Sequence, residues 1–134
     1  MTTTGKVFRA YAEAIVRAYG FGSNKMVRQG SPEYISRETM RGQRLLNRAQ
    51  WANEKTSILL EEYEAAMAGK EEGLRIWDEL AAAEKWLIAN GWLRTYDAEC
   101  SRSRGRRHWT VLVTYYGLTA KGWAVARKYL DAKD

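Results

Sequence analysis

The sequence predicts a mostly α fold of the α+β class, and two observations carry that reading. From Lys6 to Asn90, apolar residues recur at the 3–4 residue spacing of buried helix stripes. After Gly91 the pattern turns to β-branched and aromatic residues, and it returns to helical spacing after Thr119. With 134 residues, 46% of them hydrophobic, the chain has the size and apolar content of one globular domain. No linker, low-complexity run or repeat divides it. Residues 1–134 therefore read as a single domain, with a basic helical extension over 1–53 and a core over 54–134.

The first predicted helix is Lys6–Tyr19, where Val7, Phe8, Tyr11, Ala14, Ile15, Ala18 and Tyr19 form one stripe. Gly20 and Gly22 stop it. Ser31-Pro32-Glu33 starts the second helix, with serine as cap, proline in the first turn and glutamate at the positive helix end. That helix runs toward Trp51 over a thin apolar face of Ile35, Leu45, Leu46 and Ala49. A third helix is expected over 54–68, turning Leu59, Leu60, Tyr63, Ala66 and Met67 inward. Gly69 separates it from a fourth over 71–90, which buries Leu74, Trp77, Leu80, Ala81, Leu87 and Ile88. A strand over 92–96, a turn over 101–105 and a strand over 109–116 make a hairpin. Thr119 caps a last helix, 120–130, packing Trp123, Ala126, Tyr129 and Leu130.

Charge is distributed in blocks. The net charge is +6, yet residues 54–99 hold eleven Asp/Glu against five Lys/Arg. Residues 1–53 hold nine Lys/Arg against three Asp/Glu, and residues 100–134 hold eight against two. Two basic blocks flanking an acidic middle point to a polyanionic partner, or to internal pairing between the blocks.

The run from Asp78 to Leu130 resembles the winged helix-turn-helix DNA-binding domains of the bacterial PadR and MarR type. A helix ends in Leu87-Ile88-Ala89-Asn90-Gly91-Trp92-Leu93, and a hairpin with a basic tip follows. The chain then returns through Tyr116-Gly117-Leu118-Thr119-Ala120-Lys121-Gly122 into a final helix. The resemblance implies a winged helix with two extra N-terminal helices and a C-terminal helix, the wing lying near 92–116. It further implies duplex DNA as partner, a role as a small bacterial or phage regulator or architectural factor, and a homodimer through the C-terminal helix. Two features depart from the family pattern. Glu84 stands where an apolar residue is expected, and the would-be base-reading helix carries Glu71, Glu72, Asp78, Glu79 and Glu84, which phosphates repel.

Arg102, Arg104, Arg106 and Arg107, with His108 beside them, are the first candidate nucleic-acid contacts. Alternation along an extended hairpin places Arg102, Arg104 and Arg106 on one face. The same cluster also suits a solvated tip or an acidic protein. Arg37, Arg41, Arg44 and Arg48 form a second candidate, lying within roughly 60° on one helix. Either phosphates or the acidic middle of the chain can offset their mutual repulsion. A membrane-surface role lacks the bulky apolar wedge it needs. Arg75, on the acidic helix, completes the set. Trp92, Trp109, Tyr115 and Tyr116 flank the hairpin, to stack on bases or to pin it to the helices.

Other classes find little support. Cys100 and His108, each the only residue of its type, lack the companions of a metal site or a nucleophile with its base. There is no glycine-rich phosphate loop or nucleophile elbow, so no enzyme and no cofactor are expected. No apolar run spans a bilayer and the N-terminal residues lack a secretory core, so a cytoplasmic protein is expected. The alternative to DNA binding is a winged-helix protein–protein adaptor in a larger complex.

Overall fold

The computed structural model describes residues 2–30 and 32–131. The described elements run α1 (Thr3–Tyr19), β1 (Val27–Arg28), α2 (Glu33–Glu54), α3 (Leu60–Ala89), β2 (Leu93–Arg104), β3 (Arg107–Leu118) and α4 (Ala120–Asp131). The three strands form one antiparallel sheet in the order β1-β3-β2. The α+β class is as the sequence predicts. The cap expected from Ser31 lies outside the described residues.

α1 begins where the Thr2 hydroxyl accepts from the Gly5 N–H at 3.1 Å. Its stripe of Val7, Phe8, Tyr11 and Ile15 is completely buried. At roughly 1.5–3 kcal/mol for each large side chain removed from water, this stripe anchors the structure. α1 therefore lies at the centre of the core, packed against α2, α3, α4 and the sheet, rather than outside it as part of an N-terminal extension.

Gly69 does not stop a helix, as the sequence reading expected. α3 runs unbroken through it for 30 residues and packs along α2. A glycine inside a helix costs about 1 kcal/mol relative to alanine, and the α2 contact offsets that. The buried face of α3 is built from small and medium residues: Ala66, Gly73, Ile76, Leu80, Ala83 and Leu87. A Cβ added at Gly73 would lie 3.0 Å from the Gly42 carbonyl oxygen, and one added at Gly42 would lie 2.9 Å from the Trp77 ring. The helices cross backbone to backbone there. Close approach selects small residues, so Leu59, Leu60, Tyr63, Leu74, Trp77 and Ile88, expected inward, are exposed instead.

Glu84 occupies the position where the family pattern has an apolar residue, and the structure supplies the reason. Its carboxylate accepts from the Tyr11 hydroxyl at 3.0 Å and from the Tyr116 hydroxyl at 2.8 Å. The two tyrosine rings stack with centroids 4.7 Å apart. α1, α3 and β3 are thereby tied at one point. Burial, then the Glu84 charge, pushes the Tyr11 pKa far up; burial and the bond to Glu84 push Tyr116 up as well.

At the same root of the hairpin, on the β2 side, Trp92 packs edge-on against Phe8 at 5.1 Å and against Trp86 at 5.5 Å. The Thr119 hydroxyl accepts from the Gly122 N–H at 3.0 Å and donates to the Gly91 carbonyl. A Cβ at Gly122 would sit 2.2 Å from the Trp92 carbonyl oxygen, so α4 can approach β2 only with glycine there. The apolar face of α4 is used inside the fold. Trp123 donates to the Ser23 carbonyl at 3.0 Å, Tyr129 meets Phe8 and Ala126 is fully buried. The face expected to carry a homodimer through the C-terminal helix is thus turned inward.

Glu84→Leu, apolar though it is, lowers the urea-unfolding free energy by about 1–3 kcal/mol for each stranded tyrosine hydroxyl. Because folding raises both tyrosine pKa values, their contribution is complete below the ordinary value of 10.0 and is lost as pH rises beyond it. Stability measured from pH 8 upward should therefore fall above about pH 10, and less steeply in Tyr116→Phe. Gly122→Ala should cost about 3 kcal/mol. Gly69→Ala, which meets only the flexible end of Leu45 at 3.2 Å, should gain up to about 1 kcal/mol.

Candidate nucleic-acid interface

Twelve residues on each side make β2–β3 a long hairpin, fixed at its root and bare beyond it. Leu93, Tyr116 and Leu118 bury at the root, while every residue from Ser101 to Thr110 is exposed. From the Asp97–Thr114 pair, where Gln29 still bonds to Thr114 and Val113 is buried, to the Arg104–Arg107 pair the strands run roughly 24 Å at strand rise. The turn is Gly105-Arg106, two residues only, with Gly105 at φ 63. A positive φ at the first central position alone is the sign pattern of a type II′ turn, whose twist suits a hairpin and which favours glycine. The turn expected over 101–105 is therefore mostly strand.

Register sorts the candidate side chains. Cross-strand partners share a face, and the pairs Arg102–Trp109 and Arg104–Arg107 lie on one face, continuous with Cys100–Val111. Ser103–His108 and Ser101–Thr110 lie on the other. Three guanidiniums and the Trp109 ring thus share one side of the tip. His108 is on the opposite side from them. Arg106 is in the turn rather than in the alternating row expected of it. None of Arg102, Arg104, Arg106 and Arg107 is ion-paired among the described residues.

The α2 stripe is less uniform than its sequence suggests. Arg41 contacts Glu38 at 3.0 Å and Glu72 of α3 at 3.3 Å. Its bond to Glu38 holds its proton more firmly than usual. Arg75 contacts Glu79 at 2.7 Å and bonds Glu72 through Nε at 2.9 Å, which pulls the Glu72 carboxyl below the usual range. For Arg41 and Arg75 the acidic helix is the partner. Arg37 reaches Glu33 at 4.0 Å across open solvent, a weak pair. Arg44 and Arg48 are exposed and unpaired among the described residues.

The aromatics divide too. Trp92 and Tyr116 are core anchors of the hairpin root, and Trp109 is the one at the tip, 43% exposed. Among the described residues no group of acids, histidines and cysteine is placed to hold a metal ion, and no helix is long and apolar enough to cross a membrane. No family model matches the chain, and no curated protein or solved structure proved similar to it.

If the arm is ordered from its root, removing the Trp92 anchor should loosen the tip. Trp92→Ala should speed amide exchange at 101–110 by more than it does in the middle of α1, measured by hydrogen exchange under native conditions.

Proposed function

We propose that this chain is a winged helix-turn-helix DNA-binding protein that grips duplex DNA with the β2–β3 arm. The observation that carries the reading is the set of three unpaired guanidiniums on one face of a ribbon projecting well beyond the core. A two-stranded hairpin standing alone is marginal, so its length has no rationale in packing. A two-stranded ribbon fits the major groove, which is about 12 Å wide. Arg102, Arg104 and Arg107 then reach phosphates or guanine edges, with Trp109 beside them. The element order, with β1 against β3 and the hairpin leaving directly from the third helix, supports the winged-helix assignment. Arg106, Arg44 and Arg48 add backbone contacts where the duplex curves toward them.

α3 does not read bases in this proposal. Its outward face carries Glu71, Asp78, Leu74 and Ala82, which neither attract phosphate nor match a row of base edges. That face favours the second reading, an adaptor that binds protein alone. A mobility-shift assay on random duplex separates the two, since an adaptor gives no shift even at low salt.

For the DNA reading the salt dependence is decisive. Each phosphate contact removed lowers the slope of log affinity against log salt by roughly 0.9. Replacing Arg102, Arg104 and Arg107 together by Gln should lower it by about 2–3. Arg75→Gln, whose guanidinium is held by Glu72 and Glu79, should leave it unchanged. A triple variant with the wild-type slope would remove the arm from the interface.

A further inference from the structure

α3 presents two apolar stripes, and the fold uses one. The buried stripe, Ala66, Gly73, Leu80 and Leu87, recurs every seventh residue and faces α2 and the core. A second set, Leu60, Met67, Leu74, Ala81 and Ile88, also recurs every seventh residue, about 100° round the helix from the first. Tyr63 and Trp77 lie beside it. Five of these large residues are open to solvent: Leu60 by 70%, Leu74 by 47%, Trp77 by 42%, Ile88 by 39% and Tyr63 by 37%. A coiled-coil seam alternates two apolar positions in each seven residues. This set fills one of them throughout, and Tyr63 and Trp77, three residues after Leu60 and Leu74, fill the other in two heptads. The seam extends the length of a helix of roughly 45 Å.

We propose that this seam pairs with the same seam of a second copy of the chain, the two α3 helices running antiparallel about Leu74. Three observations favour that occupant. The first is self-complementarity. With Leu74 at the dyad, Met67 of one copy meets Ala81 of the other, large against small, while Leu60 meets Ile88 and Leu74 meets Leu74. A parallel pair would set Ala81 against Ala81 and leave a void.

The second is charge. The first turns of α3 hold Glu61, Glu62 and Glu64, and the last turns hold Lys85. A parallel pair puts each acid against its own copy, whereas the antiparallel pair brings Glu64 alongside Lys85 and sets the helix dipoles head to tail. The third is area and shape. Given 150–250 Å² for a large side chain, the five exposed residues offer roughly 500 Å² of apolar surface per chain. A stable interface needs about 800 Å² per partner, so polar flanks supply the remainder. A cavity of about 350 Å³ opens next to the seam, lined by Ile35, Thr39, Trp77, Leu80, Ala81 and Glu84. It lies where Met67 of the second copy arrives.

Sedimentation equilibrium of the full chain over a range of concentrations tests the proposal, beside cysteine pairing in a Cys100→Ser background. The wild type is expected to be a dimer. Leu74→Glu, at an exposed position, should keep the far-ultraviolet dichroism and weaken association by on the order of 100-fold or more. Leu74→Cys should cross-link to itself on mild oxidation. Leu60→Cys and Ile88→Cys should each fail to self-link, yet join when mixed. A wild type monomeric throughout the range overturns the proposal, as does a dimer indifferent to Leu74→Glu. Self-linking of Leu60→Cys as fast as that of Leu74→Cys overturns the antiparallel arrangement.

Discussion

The Glu84 carboxylate holds together three elements that are distant in the chain. It accepts one hydroxyl from α1 and one from β3, and it does so from the helix that leads into the hairpin. Two core tyrosines could bury their rings without it, but their part-buried hydroxyls would then each lose an acceptor, and that loss is costly. With the carboxylate in place, the ring stack of Tyr11 on Tyr116 fixes where β3 leaves the core. The Thr119–Gly122 junction and the Trp92 ring fix β2 on the other side. Beyond these two clamps Val113 is still buried and the Gln29 N–H still donates to the Thr114 carbonyl; only from Ser101 to Thr110 is every residue exposed. The arm's direction is therefore set at its root, while its tip is left exposed.

A second constraint governs the helices. α2 and α3 approach so closely at Gly42 and Gly73 that only small residues fit between them. Large apolar residues of α3 are displaced to the flank, and the helix leaves the monomer with an apolar stripe outside. Acidic residues beside that stripe hold Arg41 and Arg75. The surface is thus divided: unpaired cations on the arm, and apolar and acidic groups on α3. We assign them different partners, a polyanion for the first and a second copy of the chain for the second.

Much of this was legible in the sequence. The α1 stripe as far as Ile15, the hairpin, the Thr119 start of α4 and the change of period after Gly91 all follow from local pattern; Ala18 and Tyr19, expected in the stripe, are exposed. The reading failed where tertiary contact outweighs local preference. Gly69 looks like a helix end because glycine is a poor helix former, yet packing on α2 carries α3 through it. Leu60, Leu74 and Trp77 look like core because they are large, yet the interface selects small residues. β1, two residues long, is below what alternation can signal. In the candidate site, the four arginines of the hairpin were evident, but their faces were not. With the turn at Gly105-Arg106 rather than over 101–105, His108 pairs with Ser103 on the opposite face from Arg104 and Arg107. Arg41 reaches Glu72 across the α2–α3 contact, which spacing along one helix does not reveal. Glu84 was visible only as a departure from pattern, because the tyrosines that explain it come from 73 and 32 residues away.

The central claim is that the arm, and not α3, meets DNA. Hydrogen exchange of the full chain with and without a duplex tests it most directly. The account predicts slowed exchange across residues 100–111, with residues 71–85 of α3 unchanged. Slowed exchange centred on 71–85 with an unaffected arm would contradict it.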